Sequence, residues 1–472
     1  MKKYVLTQEI KIAGAITILA GVLLCWGLFL PYVKAWEVGI LELFAKHHLL
    51  YGLKISRGLP IMDMLGGRPN YYILHPPLVP LLLALSFKFF GIHEWSARLI
   101  PIVFSLSGLI FFFLLVKGIA DRKTALLSMF FMSLMPMFNY YGRIVNYEAI
   151  TLGLSIVFLY LFVQFIHTGK LFFALMLAFI SVLGVLSDWP FVLFLLSPAL
   201  YIRYKKKGAA AYAGLMLLAV LTIVGIFLFF IKTVPFSLNR QLSGFFYHCQ
   251  HRSLLLHIGF YRTLIKNVIL NFTPCGVLCL ALWIHMVRKK KIRMTDEVNL
   301  VARMLLLFGA ALPLMTPHAA YIHVWTLQYL TPAMALIAAL VVGRLKKQWQ
   351  IILTASFVLF GLGYFAKLHI FRFPGPYQAG MQIAKMASPK DILYTNTVSP
   401  VSFYSGIETL VFSNKEPDIF VKRELPRFVC IVKYTDKDKF DYEKMQETLL
   451  QRQYKNKYNE HKVVLWVCEE DI

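Results

Sequence analysis

Long apolar runs separated by short polar clusters fill the chain from Lys11 to Ala366. Each holds roughly 17 to 25 residues, enough for a helix to cross a hydrocarbon core about 30 Å thick at about 1.5 Å per residue. The first run, "IAGAITILAGVLLCWGLFLPY", is too long for a signal peptide and lacks a small-residue cleavage pattern, so it is expected to be a retained first helix. The pattern predicts an all-α polytopic membrane protein with about eleven crossings. After Lys367 it changes: "DILYTN", "TLVFS", "RFVCIVKY" and "KVVLWVC" read as short strands, and "DYEKMQETLLQRQYKN" as a helix. Residues 1–366 are therefore expected to form a membrane module, and 367–472 a small soluble α/β domain without a phosphate-cradling glycine loop.

Charge fixes the expected orientation. The chain of 472 residues is 58% hydrophobic and 15% charged, with net charge +25 and mean hydropathy +0.63. The basic residues cluster between apolar runs, as "DRK" at 121–123, "RYKKK" at 203–207, "RKKKIR" at 288–293 and "GRLKK" at 343–347. That distribution is a positive-inside signal and argues against nucleic acid as a partner. All four clusters fall inside when the first helix runs outward and "YYILHPPLVPLLLALSFKFFG" (71–91) does not cross; one extra crossing there would put them all outside. That stretch is expected to lie in the outer leaflet or interface, with Pro76 and Pro77 in the first turn of a helix. The C-terminal domain is then extracytoplasmic, and a bacterial inner membrane is the expected location. The six cysteines lack metal-ligand spacing and read as packing residues.

This topology brings several widely separated acids to the outer face, and ionisable groups near membrane depth usually serve a function. Glu37 and Glu42 lie in "AWEVGILELFAKHHLLYG", Glu148 in "YYGRIVNYEAI" and Asp188 in "LSDWPF". Two readings stand for each. Glu37 is either an interfacial helix-capping acid or a general base facing a cavity. Glu148 is either an interfacial acid or a cavity acid with Arg143 nearby, where a guanidinium suits a carboxylate or an anionic headgroup. Asp188 either caps the helix starting at Trp189-Pro190 or lines the cavity. His75, His318 and His323 are either interfacial hydrogen-bonding histidines or weak metal candidates, since no His-x-x-x-His spacing occurs. The segment from Lys232 to Arg262, rich in Arg, His and aromatics, is either a snorkelling belt or a contact for a lipid or acceptor phosphate.

An acid-bearing loop after the first helix, followed by "YYILHPPLVPLLLALSFKFFGIHEWSARLIP", resembles the polyprenyl-phosphate-dependent membrane glycosyltransferases of glycosyltransferase family 39. These have the GT-C fold and include protein O-mannosyltransferases and lipid A aminoarabinose transferases. "YYGRIVNYEAI", "GVLSDWPFVLF", "LNFTPCGVLCLALW" and "HVWTLQYLTPAMAL" are similar to later family segments in the same order, so the resemblance covers about Ala13 to Val342. It implies an inverting transferase that moves a sugar from a polyprenyl-phosphate donor to an acceptor (protein, lipid or glycan) on the extracytoplasmic face. Counting back from Ala45, Glu37 takes the position of the family's loop aspartate, and Val38 replaces its second acid. The resemblance implies Glu37 as catalytic base, Glu148 as second catalytic acid, and Arg143 and Arg98 as ligands of the donor phosphate. Tyr72, His75, Asp188, His323 and Tyr329 would line the cavity. No cofactor is required by the pattern, and a divalent metal, bound by some relatives, stays open. Two other classes stand beside this one: a lipid-linked sugar flippase, and a catalytically inactive member acting as a binding scaffold.

Overall fold

The computed structural model describes the chain apart from residues 1–7, 32–38, 66–67, most of 235–251, 290–295, 371–373, 389, 397–400, 412–425, 433–441, 452, 461–462 and 469–472. It divides into two compact units, each discontinuous in sequence. The first comprises Met1–Leu28, Ile73–Val79 and Arg98–Leu368, and the second Phe29–Tyr72, Pro80–Ala97 and His369–Ile472.

The first unit is helical. At its centre Thr331–Val342 is buried at every position, and Tyr147–Thr168 at most. At its periphery Ala209–Thr233 buries only Ala219, Ile226 and Phe230, while Leu217, Val220, Leu221 and Leu228 are exposed. Leucines turned outward along a helix of 25 residues are what a lipid-facing helix presents. Small residues let the central helices touch: a Cβ placed on Gly153 would lie 2.5 Å from the Phe104 carbonyl oxygen, so Tyr147–Thr168 and Glu94–Ile119 meet backbone to backbone.

The chain is a multi-pass membrane protein with a small strand-bearing C-terminal region. Seven of its described helical segments are long and apolar enough to cross a membrane, or eight if one bent pair is a single span. The other crossings expected from the pattern fall on shorter or interrupted helices. Arg122–Leu134 stops before Pro136, Leu171–Ser187 has 17 residues, and Pro190–Phe194 and Pro198–Lys205 are separate short helices. Proline lacks an N–H and clashes with the preceding turn, which breaks runs that hydropathy reads as continuous. One apolar run contains a break of this kind: Ile258–Phe272 and Pro274–Arg288 meet at 105°. Thr273 sits between them at φ 65°, and its hydroxyl accepts from Gly276 N–H (3.1 Å) to start the second helix. Leu78–Phe90, from the stretch expected not to cross, has 13 residues, about 20 Å of helix.

The second unit holds a hairpin, β1 (Ile61–Leu65) with β2 (Arg68–Tyr71), and a five-stranded mixed sheet. The sheet comprises β3 (Ile392–Thr395), β4 (Glu408–Val411), β5 (Phe428–Val432), β6 (Tyr454–Glu460) and β7 (Val463–Cys468), in the order β4-β3-β5-β7-β6. β3 runs parallel to β4 and β5, and β7 antiparallel to β5 and β6. Alternate residues of β5 and β7 feed two cores: Cys430 and Leu465 pack with Ala379 and Ile383 on one face, Val429 and Trp466 with Met445 and Leu449 on the other. This alternation with both faces covered makes a helix–sheet–helix sandwich. The helix expected to run to Asn456 stops at Gln451, and Tyr454 begins β6, because its tyrosines at 454 and 458 belong to those cores.

In the same unit the helix Ile40–Ser56, interrupted at Gly52 (φ 70°), buries Lys46, His47 and His48. Glu42 accepts from the Gly39 N–H (3.0 Å) and so caps its own helix. Lys46 Nζ reaches the Phe403 carbonyl at 3.5 Å, His47 Nδ1 bonds the Ile61 carbonyl (2.7 Å), and His48 Nδ1 pairs with the Ser56 hydroxyl (3.0 Å). Burial pushes both imidazoles down to about 4. The neighbouring Lys46 adds to this at His47, and His47 adds to it at His48.

Candidate active site

Within the first unit, four separated stretches of sequence meet at the start of Tyr147–Thr168. Asn146 caps that helix by accepting from Ala149 N–H (3.2 Å), which fixes Tyr147 and Glu148 in its first turn, where an acid is favoured by the helix dipole. His75 arrives from Ile73–Val79 with its ring stacked on Tyr147, centroids 4.2 Å apart and planes 13° apart. Its Nδ1 lies 2.7 Å from Asp188 Oδ1, and Asp188 is 2% exposed. The same carboxylate accepts from Trp189 N–H (2.9 Å), and the Trp189 indole donates to the Leu74 carbonyl (2.8 Å), so the segments carrying His75 and Asp188 are tied twice. Thr151, one turn beyond Glu148, pairs with Ser187 beside Asp188 (3.1 Å). Tyr329 is fully buried against Thr151, within electrostatic range of both Asp188 and Glu148.

Two carboxylates and an imidazole thus share one neighbourhood, and the electrostatics of each depend on the others. Burial works against a charged His75, but the Asp188 carboxylate overrides it and Glu148 adds to the effect, so the imidazole titrates above its ordinary 6.5. A histidine oriented by a buried acid is an arrangement suited to proton transfer.

Of the residues expected from sequence, Glu148, Asp188, His75 and Tyr329 are brought together here. Glu37 lies outside the described residues. Arg98 and Arg143 are buried on the end of the first helix, Gln8–Cys25: Arg98 donates to the carbonyls of Gly27 (3.1 Å) and Leu28 (2.7 Å), and Arg143 to that of Trp26. There they satisfy carbonyls of the turn that follows the helix, and Arg143 also lies over the Tyr140 ring at 5.5 Å. His323 stacks on Trp325 (4.4 Å). Tyr72 belongs to the second unit, its ring 4.9 Å from Phe44. Tyr147, Thr151, Ser187 and Trp189 complete the cluster and were not singled out in the sequence. Their adjacency to Glu148 and Asp188 in the chain is the one signal that pointed to them. Among the described residues no three of His, Cys, Asp or Glu are arranged to hold a metal ion.

This is the architecture of the GT-C membrane glycosyltransferases. The chain is similar over 97% of its length to 97% of ArnT from Cupriavidus metallidurans in the apo state, with a TM-score of 0.67 at 12% identity. It matches ArnT bound to undecaprenyl phosphate over 98% of both chains, again with a TM-score of 0.67. It also covers 73% of the Archaeoglobus fulgidus oligosaccharyltransferase complexed with Zn and sulfate, with a TM-score of 0.60 at 10% identity. In sequence, residues 74–232 match the dolichyl-phosphate-mannose-protein mannosyltransferase family, and this stretch contains His75, Glu148 and Asp188. The family resemblance read from the sequence is borne out. No curated protein matches the chain in sequence.

Proposed function

We propose that this protein transfers a sugar from a polyprenyl-phosphate donor to an acceptor on the extracytoplasmic side of the membrane, with inversion at the anomeric carbon. The observation that carries the reading is the buried meeting of Glu148, Asp188 and His75 inside the segment that matches the mannosyltransferase family. The end-to-end likeness to a fold solved with undecaprenyl phosphate supports a lipid-borne donor. The chemistry fits the setting: an isoprenoid chain needs lipid-facing helices, whereas its phosphate and sugar need polar groups shielded from water. Inversion needs one group on the face opposite the leaving phosphate to receive the acceptor's proton. Glu148 in the first turn of its helix suits orientation of the acceptor or stabilisation of positive charge developing on the sugar. Glu37 is the candidate base implied by the family resemblance. Arg98 and Arg143 are the cations proposed near the donor phosphate.

The test uses the full chain in lipid nanodiscs with radiolabelled polyprenyl-phosphate hexoses and pentoses and an envelope-lipid and glycoprotein extract as acceptor source. Release of polyprenyl phosphate with label moving to an acceptor is expected. Glu148→Gln should lower the rate roughly 100-fold or more. Intact donor after incubation with every sugar tested would overturn the proposal, and donor moved across the membrane unchanged would make the protein a flippase.

A further inference from the structure

We infer that His75, in place of Glu37, is the proton acceptor of the transfer reaction and Asp188 the residue that positions it, an inference resting on the sugar-transfer reading above but not on its choice of base. The geometry has three parts. First, His75 precedes Pro76-Pro77, and a residue before proline is confined to extended backbone, which fixes where its side chain leaves the chain. Second, the ring is clamped: stacking on Tyr147 sets its plane, and the 2.7 Å bond from Nδ1 to Asp188 sets its rotation. Third, a carboxylate accepts hydrogen bonds and does not donate them, so Nδ1 carries the hydrogen and Nε2 becomes the basic nitrogen. Asp188 is held in turn by Trp189 N–H, so the acid is locked as firmly as the ring it directs.

The groups acting on this imidazole come from several elements. Glu148 and Tyr147 lie on Tyr147–Thr168, Asp188 in the turn after Leu171–Ser187, and Tyr329 on the Val324–Leu330 turn. In the step proposed, the acceptor oxygen forms its bond to the anomeric carbon as its proton passes to Nε2. The bond from that carbon to the phosphate oxygen breaks, and its electron pair leaves with the polyprenyl phosphate. The Asp188 carboxylate, bonded to the imidazole through Nδ1, stabilises the imidazolium as it forms. No oxidant, reductant or further reactant is needed.

This assignment separates from a carboxylate base in the pH profile. A carboxylate base of ordinary pKa would be fully ionised, and the rate flat, above about pH 6. An imidazole paired with Asp188 makes the rate climb through a midpoint above 6.5 and level off only at higher pH. The experiment measures kcat/KM for polyprenyl-phosphate release between pH 5.5 and 9 with the full chain in nanodiscs. In the wild type a midpoint above 6.5 is expected. His75→Gln should lose roughly 100- to 10,000-fold and lose that midpoint. Asp188→Asn should lower the rate and move the midpoint down, and Glu37→Gln should leave the midpoint in place. A midpoint that survives in His75→Gln, or disappears in Glu37→Gln, overturns the assignment.

Because a substituted chain can fail to fold, the pairing is also measured without turnover. The pH dependence of His75 carbethoxylation by diethylpyrocarbonate, read by mass spectrometry, should show the wild-type midpoint and a lower one in Asp188→Asn. Equal midpoints in the two proteins overturn the pairing. A wild type that titrates as expected but consumes no donor overturns the transferase reading instead.

Discussion

Acid should loosen the second unit before it harms the helical one, and the buried pair His47–His48 sets the scale. Both imidazoles are under 10% exposed and titrate at about 4 in the folded chain, against an ordinary 6.5. A depressed histidine contributes stability in full above 6.5; this is lost as pH falls from there towards 4, because only the unfolded chain takes up the proton. At pH 7 almost nothing is lost, whereas at pH 5 the protonated unfolded state gains about 2 kcal/mol per histidine. Two such groups would therefore lower the stability of this unit by about 4 kcal/mol between pH 7 and 5, a large part of an ordinary domain's margin. The assay is hydrogen exchange of the full chain in nanodiscs, corrected for intrinsic rates, on peptides from Ile40–Ser56 and from β5 and β7. Protection in those peptides should fall by two to three orders of magnitude from pH 7 to 5, while Thr331–Val342 holds. The double substitution His47→Asn and His48→Asn keeps a donor near each Nδ1 position but has no group that titrates in this range, so it should flatten the dependence. An acid slope identical in wild type and double variant would refute the reasoning.

Further outcomes follow from packing and pairing. Gly153→Ala would bring a methyl within 2.5 Å of the Phe104 backbone and should cost about 1–3 kcal/mol, read as a lower thermal midpoint in detergent. Because the displaced helix carries Glu148, transfer should fall with it. Glu297 accepts from Lys205 (2.8 Å) and from the Tyr201 hydroxyl, and bonds His167 (2.8 Å), joining three helix ends. Glu297→Gln should cost about 2 kcal/mol in the same melt, as charge-assisted bonds do, and an unchanged midpoint would show the clamp to be idle. Trp189→Phe removes the indole bond to Leu74 and should cost about 1 kcal/mol, with transfer reduced more than stability if the tie serves to place His75.

Particular residues show why the sequence was legible where it was. Glu148 and Asp188 stood out because an acid at the end of an apolar run is costly to keep. His75 stood out through the two prolines after it. What hid was their pairing: His75 and Asp188 are far apart in the chain, and nothing local to either encodes a bond between them. Arg98 and Arg143 read as anion ligands by type, and the structure adds bonds to the carbonyls of Trp26, Gly27 and Leu28, partners invisible to a reading by residue class. The break at Thr273 hid inside hydropathy, which averages over a proline, and β6 hid because YKNKYNE has too few apolar positions to look like a strand until β7 pairs with it.

By itself, then, the order of residues determined a helical membrane protein with a strand-bearing C-terminal region, because transfer of apolar side chains out of water is additive along the chain and needs no knowledge of neighbours. Which acid meets which base was decided only by tertiary structure. A hydrogen bond or an ion pair depends on distances of about 3 Å between groups from remote segments, and only helix packing sets those distances.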